Sequence, residues 1–143
     1  MDDRYAKQPI ARWYNAAAIA SLMFMLVGCA GYLLEVITDP ATLPLDQRVA
    51  HDAQPLWLIS ANAVAVWVGA LGALLLILRR RLAETLMLVS MIAVAIWLGG
   101  LLLVPHLRDL LGTDDIAVAV VVTVITWTIY WFARHSRQRG WLR

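Results

Sequence analysis

The chain has 143 residues, of which 62% are hydrophobic and only 15% charged, with a formal net charge of +2. A soluble domain of this size has too much surface for its volume to hide that much apolar side chain, so a soluble globular fold is excluded and lipid is the natural solvent for the excess. The basic residues fall in three short clusters between apolar stretches, a pattern of membrane topology rather than phosphate binding, so nucleic acid is not expected as a partner.

About 20 mostly apolar residues are needed to cross roughly 30 Å of hydrocarbon. Four segments meet that requirement: 14–36, 56–78, 85–104 and 116–133. Without water, each must satisfy its backbone hydrogen bonds internally, which makes each a helix. A period-two alternation is absent, which argues against a barrel. The fold expected is a single all-α transmembrane domain over residues 1–143, an up-down-up-down bundle.

The first span follows Arg4, Lys7 and Arg12 and opens on Trp13 and Tyr14, amphipathic rings suited to a membrane interface. It contains the only cysteine, Cys29, which excludes an internal disulfide and any multi-cysteine metal centre. The string Leu26-Val27-Gly28-Cys29 has the form of a lipoprotein signal cleaved before the cysteine. Apolar residues continue to Ile37, however, and Cys29 is read as a small residue inside the helix. Glu35 lies about 30 Å along this helix from Tyr14, at 1.5 Å per residue, and so belongs at the far interface as a solvated boundary residue.

Asp39-Pro40 and Leu43-Pro44 break the chain after the first span, and Gln54-Pro55 opens the second. The second span carries small residues four apart, Ala61, Ala65, Gly69 and Ala73, a row that lets another helix approach closely. Asn62 points along nearly the same face, and its amide is expected to hydrogen-bond across to a neighbouring helix. Trp67, mid-span, is expected to pack inside the bundle, as is Trp97 in the third span.

Arg79, Arg80 and Arg81 join the second and third spans, a connection so short that it forces antiparallel neighbours. Glu84, just beyond, is expected to pair with Arg80 or Arg81. Pro105 closes the third span, and Gly112-Thr113-Asp114-Asp115 offers caps and acids to the fourth. On the fourth, Thr123, Thr126 and Tyr130 form a polar stripe. The threonine hydroxyls are expected to bond to their own helix backbone, with a water or solute path as the alternative role for the stripe. The final segment, Arg134 to Arg143, is basic and partly amphipathic, suited to anionic headgroups.

Counting by side, ten Lys and Arg residues fall before the first span, between the second and third, and after the fourth; only Arg48 and Arg108 lie opposite. Short loops rich in Lys and Arg stay cytoplasmic, which gives an N-in, C-in orientation. The opposite face carries Asp39, Asp46, Asp52, Asp109, Asp114 and Asp115. His51 and His106 share that face without metal-ligand spacing, and no metal site is expected. No histidine sits mid-membrane as an axial haem ligand would, so no cofactor is expected.

Arg12-Trp13-Tyr14, Gly28-Cys29-Ala30, a proline-punctuated acidic loop, Pro55-Leu56-Trp57, Gly69-Ala70-Leu71-Gly72, the arginine triplet and Gly140-Trp141-Leu142-Arg143 together carry a resemblance over nearly the whole chain. It resembles a family of uncharacterised four-helix bacterial inner-membrane proteins, often labelled sugar transporters. The resemblance implies a multi-pass inner-membrane location and no catalytic residues. Small multidrug transporters share the helix number but keep their essential glutamate mid-span, where Glu35 is not.

No nucleophile and base can be assembled within one leaflet, so an enzyme is not expected. The function expected is a non-enzymatic accessory or assembly subunit whose partners are the bilayer and other membrane proteins, or a second copy of itself. The alternative is a small dimeric transporter or channel, with Glu35, Asn62, Thr123, Thr126 and Tyr130 along its path.

Overall fold

The structure, a computed structural model, describes residues 9–143, so Arg4 and Lys7 lie outside the described residues. Four long helices dominate: α1 (Tyr14–Ile37), α3 (Leu56–Ile77), α4 (Leu82–Leu103) and α6 (Thr113–Gln138). All four are long and apolar enough to cross a membrane. The chain is thus an all-α bundle consistent with an integral, multi-pass membrane protein. Two short helices, α2 (Leu45–Asp52) and α5 (Pro105–Leu110), and a 3₁₀ turn (Pro40–Thr42) lie in the connections at one end.

The helices run further than the apolar spans. α4 begins at Leu82 and α6 continues to Gln138, because a helix ends where its caps and backbone partners end rather than where lipid does. At the start of α6 the Asp115 carboxylate accepts the Gly112 N–H at 3.1 Å, and Asp114 and Asp115 answer the positive end of the helix dipole. Asp39 caps the 3₁₀ turn through Ala41 N–H at 2.9 Å.

α1 packs on α3, α3 on α4 and α4 on α6, with α3 and α4 the most closely joined. The α3 surface explains this. Ala65, Gly69 and Ala73 are buried, and a Cβ placed on Gly69 would stand 2.7 Å from both Met25 Sδ and Ser90 Oγ. At Gly72 it would meet the α4 backbone, 3.3 Å from Met87 N. Absent side chains let the helices come this close, and Ser90 Oγ uses the approach to donate to Ala65 O at 2.6 Å. Ala61, one turn further along the row, is half-buried. Cys29 is buried within α1, its thiol 3.4 Å from Val66 O.

The end of the bundle that holds residue 9 and residue 143 is closed by the basic, partly amphipathic tail itself. Gly140, at φ +70°, takes the left-handed conformation that ends α6 in a Schellman turn, with Trp141 N–H bonded to Ser136 O at 2.9 Å and Gly140 N–H to Arg137 O at 3.0 Å. The same motif ends α3: Arg80 N–H bonds to Leu75 O at 2.9 Å and Arg79 N–H to Leu76 O at 3.1 Å, with Arg79 at φ 55°. A non-glycine residue there costs roughly 1–2 kcal/mol. The two turns meet, for Arg143 N–H donates to Arg79 O at 2.6 Å and Arg81 N–H donates to Arg143 O at 2.9 Å.

This backbone pairing carries Trp141 and Leu142 into the bundle, where both are buried. Trp141 lies edge-on to Tyr14 and to Trp13, with centroids 5.7 and 6.0 Å away, and Phe132 packs against the same two rings. Tyr14 Oη donates to Leu76 O at 2.6 Å, and the Arg79 guanidinium lies 5.7 Å over the Tyr14 ring. Glu84 does not pair with Arg80 or Arg81. It takes Arg137 of α6, at 2.5 Å, because α6 lies alongside α4 and brings its own cation within reach.

Candidate functional site

Among the described residues, three hollows gather polar or aromatic side chains from more than one helix. The innermost lies where all four long helices converge, with a volume of about 120 Å³. α1 contributes Met25 and Gly28, α3 contributes Asn62 and Ala65, α4 contributes Ser90 and α6 contributes Thr126. At roughly 30 Å³ per water it has room for a few water molecules. Its hydroxyls are committed, Ser90 to Ala65 O and Thr126 to Val122 O at 2.8 Å. Asn62, by contrast, is half-buried and makes no hydrogen bond among the described residues. The cross-helix bond expected of it is therefore not made. Its carboxamide is the polar side chain of the cavity wall that forms no hydrogen bond among the described residues, while the Ser90 and Thr126 oxygens keep acceptor capacity.

The second hollow lies at the acidic end and holds about 190 Å³ between Tyr32, Glu35 and Thr38 of the α1 end, His51 of α2 and Ile59 of α3. Glu35 is exposed there. Thr38 Oγ1 is taken up by Leu34 O at 2.6 Å. His51 Nδ1 is buried without a hydrogen bond, since Asp52 Oδ1 at 3.8 Å is beyond reach. Among the described residues no group of three or more His, Cys, Asp or Glu side chains is placed to hold a metal ion.

The third hollow is a groove of about 490 Å³ between α1 and α6, near the end closed by the tail. Ala17, Ala20 and Ser21 form its α1 side, and Thr128, Phe132 and His135 lie on the α6 side. Trp13 and Trp131, both more than half exposed, border it.

The residues grouped by sequence as a transport path do not share one place. Asn62 and Thr126 meet in the central cavity, and Glu35 is in the separate hollow at the acidic end. Tyr130 is buried and accepts a bond from Arg134 Nη1 at 3.4 Å. Thr123, half-buried, donates to Ala119 O at 2.8 Å.

The tryptophans divide differently from expectation. Trp97 is half-buried against both Leu58 and Ala93 clusters. Trp67 is not inside the bundle: it is 45% exposed, on the outward stripe of α3 with Val64, Leu71 and Leu74. The small residues that face the other helices turn the indole away from them. Trp67 stands roughly 16 Å along α3 from Leu56 at 1.5 Å per residue, near the middle of a 22-residue helix. Hydropathy gives no signal for this, since lipid-facing and buried positions of a span are equally apolar. No family model matches the chain, and neither a curated protein nor a solved structure matches it.

Proposed function

We propose that this chain is a non-enzymatic accessory or assembly subunit of a bacterial inner membrane, with both termini in the cytoplasm, that packs laterally against other membrane helices. The observation that carries the reading is Trp67. Tryptophan prefers the interface, where its ring is in hydrocarbon and its N–H in water. Here the indole faces outward at mid-depth, and its N–H finds no acceptor among the described residues. An unpaired donor in an apolar medium costs about 1–3 kcal/mol on protein scales. A neighbouring helix laid over α3 covers the ring and can supply an acceptor. The basic end, with Arg12, the arginine triplet, Arg134, Arg137, Arg139 and Arg143, supports the cytoplasmic assignment.

Extraction into native nanodiscs followed by native mass spectrometry tests this directly. A stoichiometric companion protein is the expected result. A lone monomer with no companion overturns the proposal.

One observation favours a second reading, a small dimeric transporter or channel: the Asn62 carboxamide borders a four-helix cavity with no partner. Flux through proteoliposomes that falls in Asn62→Leu and Glu35→Gln supports it. The absence of flux, or flux indifferent to both changes, removes it.

A further inference from the structure

The groove between α1 and α6 has a chemistry that the lateral-packing reading does not use. It runs from Trp13 to Ser21 along α1, roughly 12 Å at 1.5 Å per residue, which is close to one leaflet of a hydrocarbon core about 30 Å thick. Its volume of about 490 Å³ falls within the usual range of ligand pockets, roughly 300–1,000 Å³.

The floor is dry in character. Ser21 Oγ donates to Ala17 O at 2.8 Å and Thr128 Oγ1 to Val124 O at 2.9 Å, so both hydroxyl protons are spent on their own helices. Water needs two or more polar partners to occupy such a space, and a void there forfeits dispersion contacts on every side. Hydrocarbon is the filling that fits. Small side chains at Ala17 and Ala20 make the depth, and the Trp13 and Phe132 rings, 5.7 Å apart, close its head.

Polar chemistry enters at that head. His135 lines the groove there, stacked on Trp131 at 6.4 Å with planes 12° apart. Arg12, exposed, adjoins Trp13 in the chain. Trp141, buried, is in ring contact with both Trp13 and His135 and so holds the two in place. An oxygen-rich, negatively charged group is the matching chemistry for the His135 ring and the Arg12 guanidinium.

We infer that the α1–α6 groove is a binding site for an anionic phospholipid, with one acyl chain along Ala17 and Ala20 and the phosphate headgroup at His135 and Arg12. Charge decides against a second copy of the chain as the occupant. Two copies in the same membrane orientation, joined groove to groove, would set basic end against basic end.

The test uses the full chain, delipidated in mild detergent and titrated with phosphatidylglycerol or phosphatidylcholine of identical acyl chains, read by native mass spectrometry. One phosphatidylglycerol should be retained in clear preference to phosphatidylcholine. Arg12→Gln should weaken that preference about fivefold, the effect of one surface cation on an anionic lipid. Ala20→Trp, which fills the groove, should abolish retention of both lipids, while Leu71→Trp on the outward face of α3 leaves retention unchanged. Helix content by circular dichroism confirms that each variant is folded, and Ala20→Leu gives a milder filling if Ala20→Trp is not. Equal retention of the two lipids, retention that survives groove filling, or a dimer that groove filling dissociates each overturns the inference.

Discussion

At the scale of single residues, the bundle is set by what is missing from side chains as much as by what they bear. Gly69 sits where Met25 Sδ and Ser90 Oγ would each be 2.7 Å from an added Cβ. Gly69→Ala is therefore expected to lower stability by about 1–3 kcal/mol, the range for overpacked cores. Part of that loss should be recovered in Gly69→Ala/Ser90→Ala, where one of the two obstructing atoms is gone. Gly31→Ala, whose Cβ meets nothing within 4 Å, should instead be neutral or stabilising by up to about 1 kcal/mol. Unfolding in mixed micelles with increasing SDS measures all three, and equal losses at Gly69 and Gly31 would contradict the packing account. The importance of Gly69 was legible in the sequence, because four-residue spacing of small residues places them on one helix face. The idle carboxamide of Asn62 was not, since it depends on which groups the packing of four helices brings within its reach.

At the scale of elements, the spans were legible because length and apolarity are local properties of the chain. The closed basic end was not. It rests on two helix terminations, one from a glycine and one from an arginine in the left-handed region, and on two backbone hydrogen bonds between segments far apart in sequence. Gly140 offered a signal, as a glycine two residues past the end of α6; Arg79 offered none. Trp141 is the keystone of this end, in ring contact with Trp13, Tyr14 and His135. Trp141→Ala should cost about 3 kcal/mol, at the lower end of the range for buried aromatic truncations. Hydrogen exchange should then accelerate at Arg81, whose N–H bonds to Arg143 O, while the N–H groups in the middle of α3 and α4 stay protected. Protection at Arg81 unchanged from the parent protein would mean that the tail does not hold the loop. The Glu84–Arg137 pair contributes less than about 1 kcal/mol, since Arg137 is 55% exposed and water screens it.

For the whole molecule, the charges divide between the two ends of the bundle. The end that joins α3 to α4 and holds the tail carries the arginines other than Arg48 and Arg108, and the other carries those two with Asp39, Asp46, Asp52, Asp109, Asp114 and Asp115. The positive-inside rule then makes a specific expectation. A cysteine introduced at Asp46 or Asp114 should react with a membrane-impermeant maleimide on intact spheroplasts, and one at Arg80 only after permeabilisation. Cys29, buried within α1, supplies little background. Labelling in the reverse order would invert the orientation. Sequence could not separate the lipid-facing stripe of a span from its buried face, so the outward Trp67 came from the packing alone.

The most direct test of lateral packing is a photo-crosslinking amino acid placed at Trp67 in cells and activated in the native membrane. A single discrete protein adduct is the expected result, with only lipid adducts from the same probe at the exposed Leu33 of α1. Lipid adducts alone at both positions would contradict the accessory-subunit account and leave the bundle as a free-standing unit in the bilayer.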